Sequence, residues 1–256
     1  MKLKVKYILA IFMISYPSLG IFSQVFPVKQ GWSFYAEPYV MFPNMNGVTA
    51  IGNLPEMNVD VDANQIFEKL QFGSMLYLEF SNQKWNLSSD LLYMDIGQAV
   101  NSNALINGGD ISAKQIGWEF SCLYKAKPWL ELGLGTLLNS IKLELDINSN
   151  NLVGGTTNIK KETTQTWFDP MLIAVFKNLP GEKFLYHFRG EMGGFGIGSK
   201  FASQFQAYAG YRFSELFQIK AGYRIISLDY NSRVGADYFL YNVDSSGPVL
   251  KFGFNF

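Results

Sequence analysis

Pro248-Val249-Leu250-Lys251-Phe252-Gly253-Phe254-Asn255-Phe256 alternates without a break. Pro248, Leu250, Phe252, Phe254 and Phe256 fall on one side of an extended chain, with Val249, Lys251, Gly253 and Asn255 on the other. Successive side chains of a strand point to opposite faces, so this stretch is a strand with one apolar and one mixed face. The same period runs through Trp32 to Phe42, where Trp32, Phe34, Ala36, Pro38, Val40 and Phe42 oppose Ser33, Tyr35, Glu37, Tyr39 and Met41. In Phe217 to Ile225, the set Phe217, Ile219, Ala221, Tyr223 and Ile225 opposes Gln218, Lys220, Gly222 and Arg224. A soluble sandwich also alternates. Here aromatics dominate the apolar set and glycine mixes with charge on the other, which predicts a membrane barrel with lipid outside.

Turn residues divide the chain into ten expected strands, at 32–42, 71–81, 85–96, 112–125, 129–144, 163–177, 184–197, 201–213, 217–231 and 246–256. Eight or twelve strands are the alternatives. Short turns at 82–84, 126–128, 180–183 and 214–216 alternate with long polar stretches at 43–70, 97–111, 145–162 and 232–245, which read as loops. Only 198–200 breaks that rhythm. Short turns at one end and long loops at the other are the layout of an outer-membrane, up-and-down antiparallel barrel, and an even count returns both termini to the turn side.

Composition agrees. The 256 residues carry 21 Lys+Arg against 21 Asp+Glu, and aromatics equal charged residues at 16%. A zero net charge excludes a nucleic-acid binder that relies on a basic surface. The single cysteine, Cys122, excludes an intrachain disulfide framework, and one histidine, His187, excludes a site needing two imidazoles. No cofactor or metal site is expected.

Lys2, Lys4 and Lys6 precede the ten-residue apolar run Tyr7 to Tyr16, then Pro17, Ser18 and Gly20, which is the order of a secretory signal. Ten residues are too few to span about 30 Å of hydrocarbon. Cleavage after Ser23 is expected, making 1–23 the signal peptide and 24–256 one barrel domain in the outer membrane.

Trp167-Phe168-Asp169-Pro170, Arg189-Gly190-Glu191-Met192-Gly193-Gly194-Phe195-Gly196-Ile197-Gly198-Ser199, Gly210-Tyr211-Arg212-Phe213-Ser214 and Gly222-Tyr223-Arg224 resemble a family of Gram-negative outer-membrane barrels. The family's pattern runs W-x-D-P, R-G-D-x-G-G-F-G-x-G-S, G-Y-R-F-S and G-Y-R. Trp85, Tyr93 and Gly247-Pro248 extend the match over most of the chain, and Glu191 stands where the family usually has Asp. The resemblance implies fold and location and hands on no activity.

With aromatics toward lipid, register sends Glu37, Glu79, Asp90, Glu119, Glu131, Asp169, His187, Arg189, Glu191, Arg212, Lys220, Arg224 and Lys251 into the lumen. An Arg or Lys on the lipid face at mid-membrane costs about 2–4 kcal/mol, so inward is the only economical side. These charges either pair into a plugged core or line a narrow conduit for ions or small polar solutes. Mixed signs favour pairing. Asp169, Arg189 and Glu191 are expected to form one cluster, since counting from the turn puts them at similar heights.

Other motifs resolve into structure. His187 is the only candidate base for a Ser-His hydrolase acting on lipid, yet it points inward near the turn end, so no catalysis is expected. Asp60-Val61-Asp62-Ala63-Asn64 has calcium-loop spacing but Gln65 replaces the glycine and Gln71 the final acid, so an aspartate capping a short helix over the barrel mouth, or folded into it, is the better reading. Gly194-Phe195-Gly196-Ile197-Gly198 lacks the following helix of a nucleotide loop and is expected to bend the seventh strand. Cys122 falls on the lipid side. Phe252, Phe254 and Phe256 form a terminal aromatic signal of the kind read by the barrel assembly machinery through strand addition. Outer-membrane lipid is then the other expected partner, and a monomer the favoured state.

Overall fold

The computed structural model describes residues 31–52, 56–100, 106–150, 156–179, 181–234 and 237–256. The expected signal, 1–23, lies outside them. Twelve strands and one helix follow in order: β1 (Ser33–Met41), β2 (Asn44–Ile51), β3 (Met57–Val61), α1 (Ala63–Lys69), β4 (Leu70–Ser81), β5 (Trp85–Val100), β6 (Ile106–Lys127), β7 (Leu130–Asn150), β8 (Thr156–Lys177), β9 (Phe184–Gly193), β10 (Phe201–Arg212), β11 (Phe217–Val234) and β12 (Asp237–Asn255). Strands β1 and β4 to β12 pair antiparallel with their neighbours, and β1 pairs β12, closing a ten-stranded barrel. Among the described residues no helix is long and apolar enough to cross a membrane.

Strand β2 continues β1 past a break at Phe42-Pro43 and pairs the upper part of β12, from Asn44↔Ser246 to Ile51↔Phe239. Gly247 sits opposite that break, where a Cβ would lie 2.0 Å from the Phe42 carbonyl oxygen, so only glycine admits the approach. Strand β3 folds back on β2. The chain then enters α1, capped by Asp62 with Gln65 closing a capping box. Phe67 of α1 packs on the outward ring of Phe42 at 5.1 Å while Ile66 is buried. The helix is therefore part of the wall rather than a plug.

The expected long loops are mostly strand. Segments 97–111 and 145–162 continue β5 to β8, with pairs such as Ala99↔Asp110 and Asp146↔Lys160, and 232–245 belongs largely to β11 and β12. The tips 101–105, 151–155 and 235–236 lie outside the described residues. Polarity was a poor guide because the wall leaves the membrane while its hydrogen-bond ladder continues. The seventh barrel strand is in turn shorter than expected: β9 stops at Gly193, and 194–200 turns through positive φ at Gly194, Phe195 and Gly196.

Along each long strand the side-chain parity holds while its chemistry inverts. On β7, Leu132 and Leu134 face out opposite buried Glu131, whereas farther along Lys142 and Glu144 face out opposite Ile141 and Leu143. On β11, Tyr223 and Ile225 face out opposite Arg224, then Asp229 faces out opposite Leu228 and Tyr230. The outward apolar stretch is nine residues on β8, Phe168 to Phe176. At about 3.3 Å per residue and a tilt near 40° this makes a belt about 20–25 Å tall.

Aromatic pairs ring the end that holds the turns and the C-terminus. They run from Trp32–Phe80 (4.5 Å) through Trp85–Tyr124, Trp129–Phe176, Phe184–Tyr211, Tyr211–Phe213, Phe213–Phe217 and Phe217–Phe254 to Phe256–Phe34 (5.8 Å). Amphipathic rings in this position form the girdle of a membrane barrel.

Candidate functional site

The barrel interior begins, at the terminal end, with two ion clusters that adjoin where Lys251 sits 5.3 Å from the Tyr77 ring centre. Glu37 on β1 lies 2.7 Å from Lys220 and 3.2 Å from Lys251, and it accepts a hydrogen bond from Tyr35. Lys251 also sits 4.6 Å from the Tyr208 ring centre and 4.8 Å from that of Tyr39, a cation–π arrangement. Gln218 donates to the Tyr35 hydroxyl at 2.8 Å, and Arg212 donates to Gln218 at 3.2 Å. Across the lumen Lys177 on β8 pairs with Glu131 on β7 at 2.6 Å and approaches Glu79 at 4.0 Å on β4, the strand next to β1. Asn86 donates to Glu131, Tyr77 donates to Glu79, and Lys125 caps the Asn82 carbonyl.

The middle layer crosses the lumen. Arg189 on β9 donates through Nε to Glu191 and through Nη2 to Glu119 on β6, with Ser121 at 3.3 Å. Gln204 on β10 donates to Glu191 at 2.9 Å and accepts from Arg224 Nε at 2.8 Å. Arg224 on β11 then reaches the Tyr39 hydroxyl at 2.7 Å and Asp90 on β5 at 3.0 Å, while Tyr39 donates to Asp90 at 2.7 Å. Arg189, Glu119, Glu191 and Arg224 are each at most 6% exposed. Charges so buried need partners, and every member here has one. Glu191 Oε2 is the one carboxylate oxygen of the layer left without a hydrogen bond.

Asp169 stands apart from Arg189, contrary to the expected cluster. The ladder pairs Ile173 with Glu191 and Val175 with Arg189, so Asp169 lies four residues above the partner of Glu191, about 13 Å along the strand. Counting from the turn ignored the stagger that closes a barrel. Asp169 instead accepts from the Ser199 backbone (2.5 Å) and hydroxyl (2.8 Å) and from Trp167 Nε1 (3.1 Å). It pins the 194–200 turn inside the rim.

Register reading also omitted Lys125 and Lys177, which the continued parity of β6 and β8 turns inward at the strand ends. With them, seven bases meet the seven acids. It passed over the neutral members as well: Tyr39, Gln204, Asn86 and Ser121 carry the links between charges, and an alternation search for charge alone does not find them. His187 faces the interior with its ring 6.0 Å from that of Tyr208. Among the described residues no hydroxyl bonds to it.

Above the middle layer the interior turns apolar. Trp167 stacks on Tyr230 at 3.9 Å and packs against Phe239 and Tyr241, which joins β8 to β11 and β12 across the barrel. Beside them a cavity of about 30 Å³ is lined by Met41, Met45, Met75 and Met94 with Leu228 and Val243. On the outer wall Cys122 is exposed between Phe120 and Tyr124. Phe252, Phe254 and Phe256 face outward at the terminal rim, where the Phe256 amide donates to the Phe34 carbonyl at 2.8 Å.

No protein-family model matches the chain, and no curated protein matches it. Among solved structures it is similar to Ail, the attachment invasion locus protein of Yersinia pestis, at 12% identity over 89% of this chain and 100% of that one, with a TM-score of 0.35. It is also similar to the P. putida toluene transporter TodX, at 9% identity over 90% of this chain and 91% of that one (TM-score 0.36). A third likeness is to the outer membrane protease OmpT from Escherichia coli, at 7% identity over 88% and 96% (TM-score 0.47). These neighbours are outer-membrane β-barrels of differing activities, and at such identities none of those activities passes to this chain.

Proposed function

We propose that the chain is an outer-membrane barrel whose lumen is sealed, and that it works as a structural or surface-interaction protein through the sheet standing beyond the membrane. The observation that carries this is the unbroken link Glu119–Arg189–Glu191–Gln204–Arg224–Asp90, which runs from β6 round to β5 through the middle of the barrel. The apolar layer of Trp167, Tyr230, Phe239 and Tyr241 lies over it and supports the same reading. A pore needs a wetted path, and paired charges of both signs hold one another instead of passing ions. The inverted outward chemistry, Lys142 and Glu144 above Leu132 and Leu134, supports a belt in lipid with the far end in water.

Purified protein in planar bilayers tests it. The wild type should give no steady single-channel level. A reproducible conductance would replace this reading with the narrow conduit, and turnover of outer-membrane lipid that His187→Ala abolishes would replace it with an enzyme.

A further inference from the structure

On the lipid-facing wall the belt is not smooth. Ala174 on β8 and Gly190 on β9 are paired neighbours, and Gly190 also pairs Phe205 on β10. Leu132, Leu172, Met192 and Phe205 stand around these two small residues, each about half exposed, and together they line a groove of about 620 Å³. That volume lies within the roughly 300–1,000 Å³ of small-ligand sites.

Gly190 has no structural reason to be glycine. Its backbone has no left-handed φ, and a Cβ built on it meets nothing within 4 Å. This contrasts with Gly133, Gly210 and Gly222, where a Cβ would strike a carbonyl oxygen of the adjacent strand at 2.2 Å or less. A glycine inside a strand weakens it, so a position that admits any side chain yet carries none points to the space itself.

We infer that this groove seats one acyl chain of a membrane lipid, held between Ala174 and Gly190 below and the four large side chains around them. The inference rests on the reading of the belt as lipid-exposed. The groove faces the middle of the belt, where hydrocarbon is the surrounding medium, and its outward lining is apolar apart from the Ser203 hydroxyl. A two-fold dimer would bury the same patch against that of a second copy, and the mass of what the wild type retains tells the two occupants apart.

The test is native mass spectrometry of the full chain after extraction and repeated detergent washing, with vesicles of phosphatidylethanolamine and phosphatidylglycerol as the lipid source. The wild type should retain one lipid. Gly190→Leu should retain none, while Ala221→Leu, which enlarges an outward residue elsewhere on the belt, should retain it as the wild type does. Ala174→Leu fills the groove from the neighbouring strand and serves where Gly190→Leu does not insert. Equal retention by the groove-filling variants and the wild type, or no retention by the wild type, would overturn the proposal. So would a second copy of the chain that the filled variants lose. Failure of the membrane reading is separable, since the wild type would then not insert into the vesicles at all.

Discussion

Removing one side chain, in Arg189→Ala, asks whether the middle layer is dry. The guanidinium bonds Glu191 on its own strand and Glu119 on β6, and it is 3% exposed. Without it, Glu119 retains only Gln204 at 3.4 Å, Glu191 retains Gln204 at 2.9 Å, and Glu191 Oε2 still has no partner. Two carboxylates would stay close together in a low-dielectric interior with one amide between them. Breaking a buried pair by deleting one partner costs about 3–5 kcal/mol, and two acids share the loss here, so a value in that range is expected. Urea unfolding in lipid vesicles, followed by tryptophan fluorescence, measures it. Adding Glu119→Gln to the variant removes one unpaired charge and should restore about half of the loss. A cost below about 1 kcal/mol for Arg189→Ala, or no recovery in the double variant, would mean that water already solvates these acids, and the sealed lumen would be wrong.

Deleting Phe256, or appending polar residues after it, should reduce insertion in cells while leaving detergent refolding nearly unchanged; equal losses in both assays would make it a girdle aromatic only. Trp167→Phe keeps the stack on Tyr230 but loses the Nε1 donor to Ser199 and Asp169, which should cost about 1–2 kcal/mol in the same urea titration. Cys122, outward within the belt, should resist lipid-soluble and membrane-impermeant maleimides alike in intact vesicles and react with either once urea unfolds the chain, because the addition runs through a thiolate that needs water. Beyond the belt, hydrogen bonds from Lys142 and Lys160 hold Glu144 and Asp146 below the ordinary carboxylate range. A carboxyl lowered by folding stabilises above its unfolded pKa and ceases to as pH falls through the lowered value. Amide protection factors over 142–146, with each rate taken relative to the unfolded peptide at the same pH, should therefore hold at neutral pH and fall only in acid, with the belt unchanged.

Much of the architecture was legible because lipid imposes it. A strand in the belt has to place apolar groups outward, so Phe252 and Phe254 against Lys251, or Trp118 and Phe120 against Glu119, declare both strand and face. Which inward residues touch was harder. Contact across a barrel depends on stagger between strands far apart in sequence, and this separated Asp169 from Arg189 while bringing Arg224 of β11 onto Asp90 of β5. Neutral linkers such as Gln204 and Tyr39 carry no pattern of their own, and the groove at Gly190 emerges only when three strands are laid side by side.

The strands mistaken for loops show what alternation does mean. On β12, Leu250 and Phe252 face out with Lys251 inside, and farther along Asn242 and Asp244 face out with Tyr241 and Val243 inside. No residue is inserted and no register slips between the two stretches, since β11 pairs β12 continuously from Phe217↔Phe254 to Val234↔Asp237. Only the solvent outside the wall has changed. Where lipid lies outside, the apolar half of the alternation goes there and the polar half is forced together in the lumen. Where water lies outside, the apolar half turns inward, and Trp167 can stack on Tyr230. One rule thus produces both the charged network and the aromatic lid above it, and the level at which the sign flips, near Ser227 on β11 and Ser246 on β12, marks the membrane's edge on the chain. A search for loops by polarity sees an end there. A search for period two sees the strand continue with its faces exchanged.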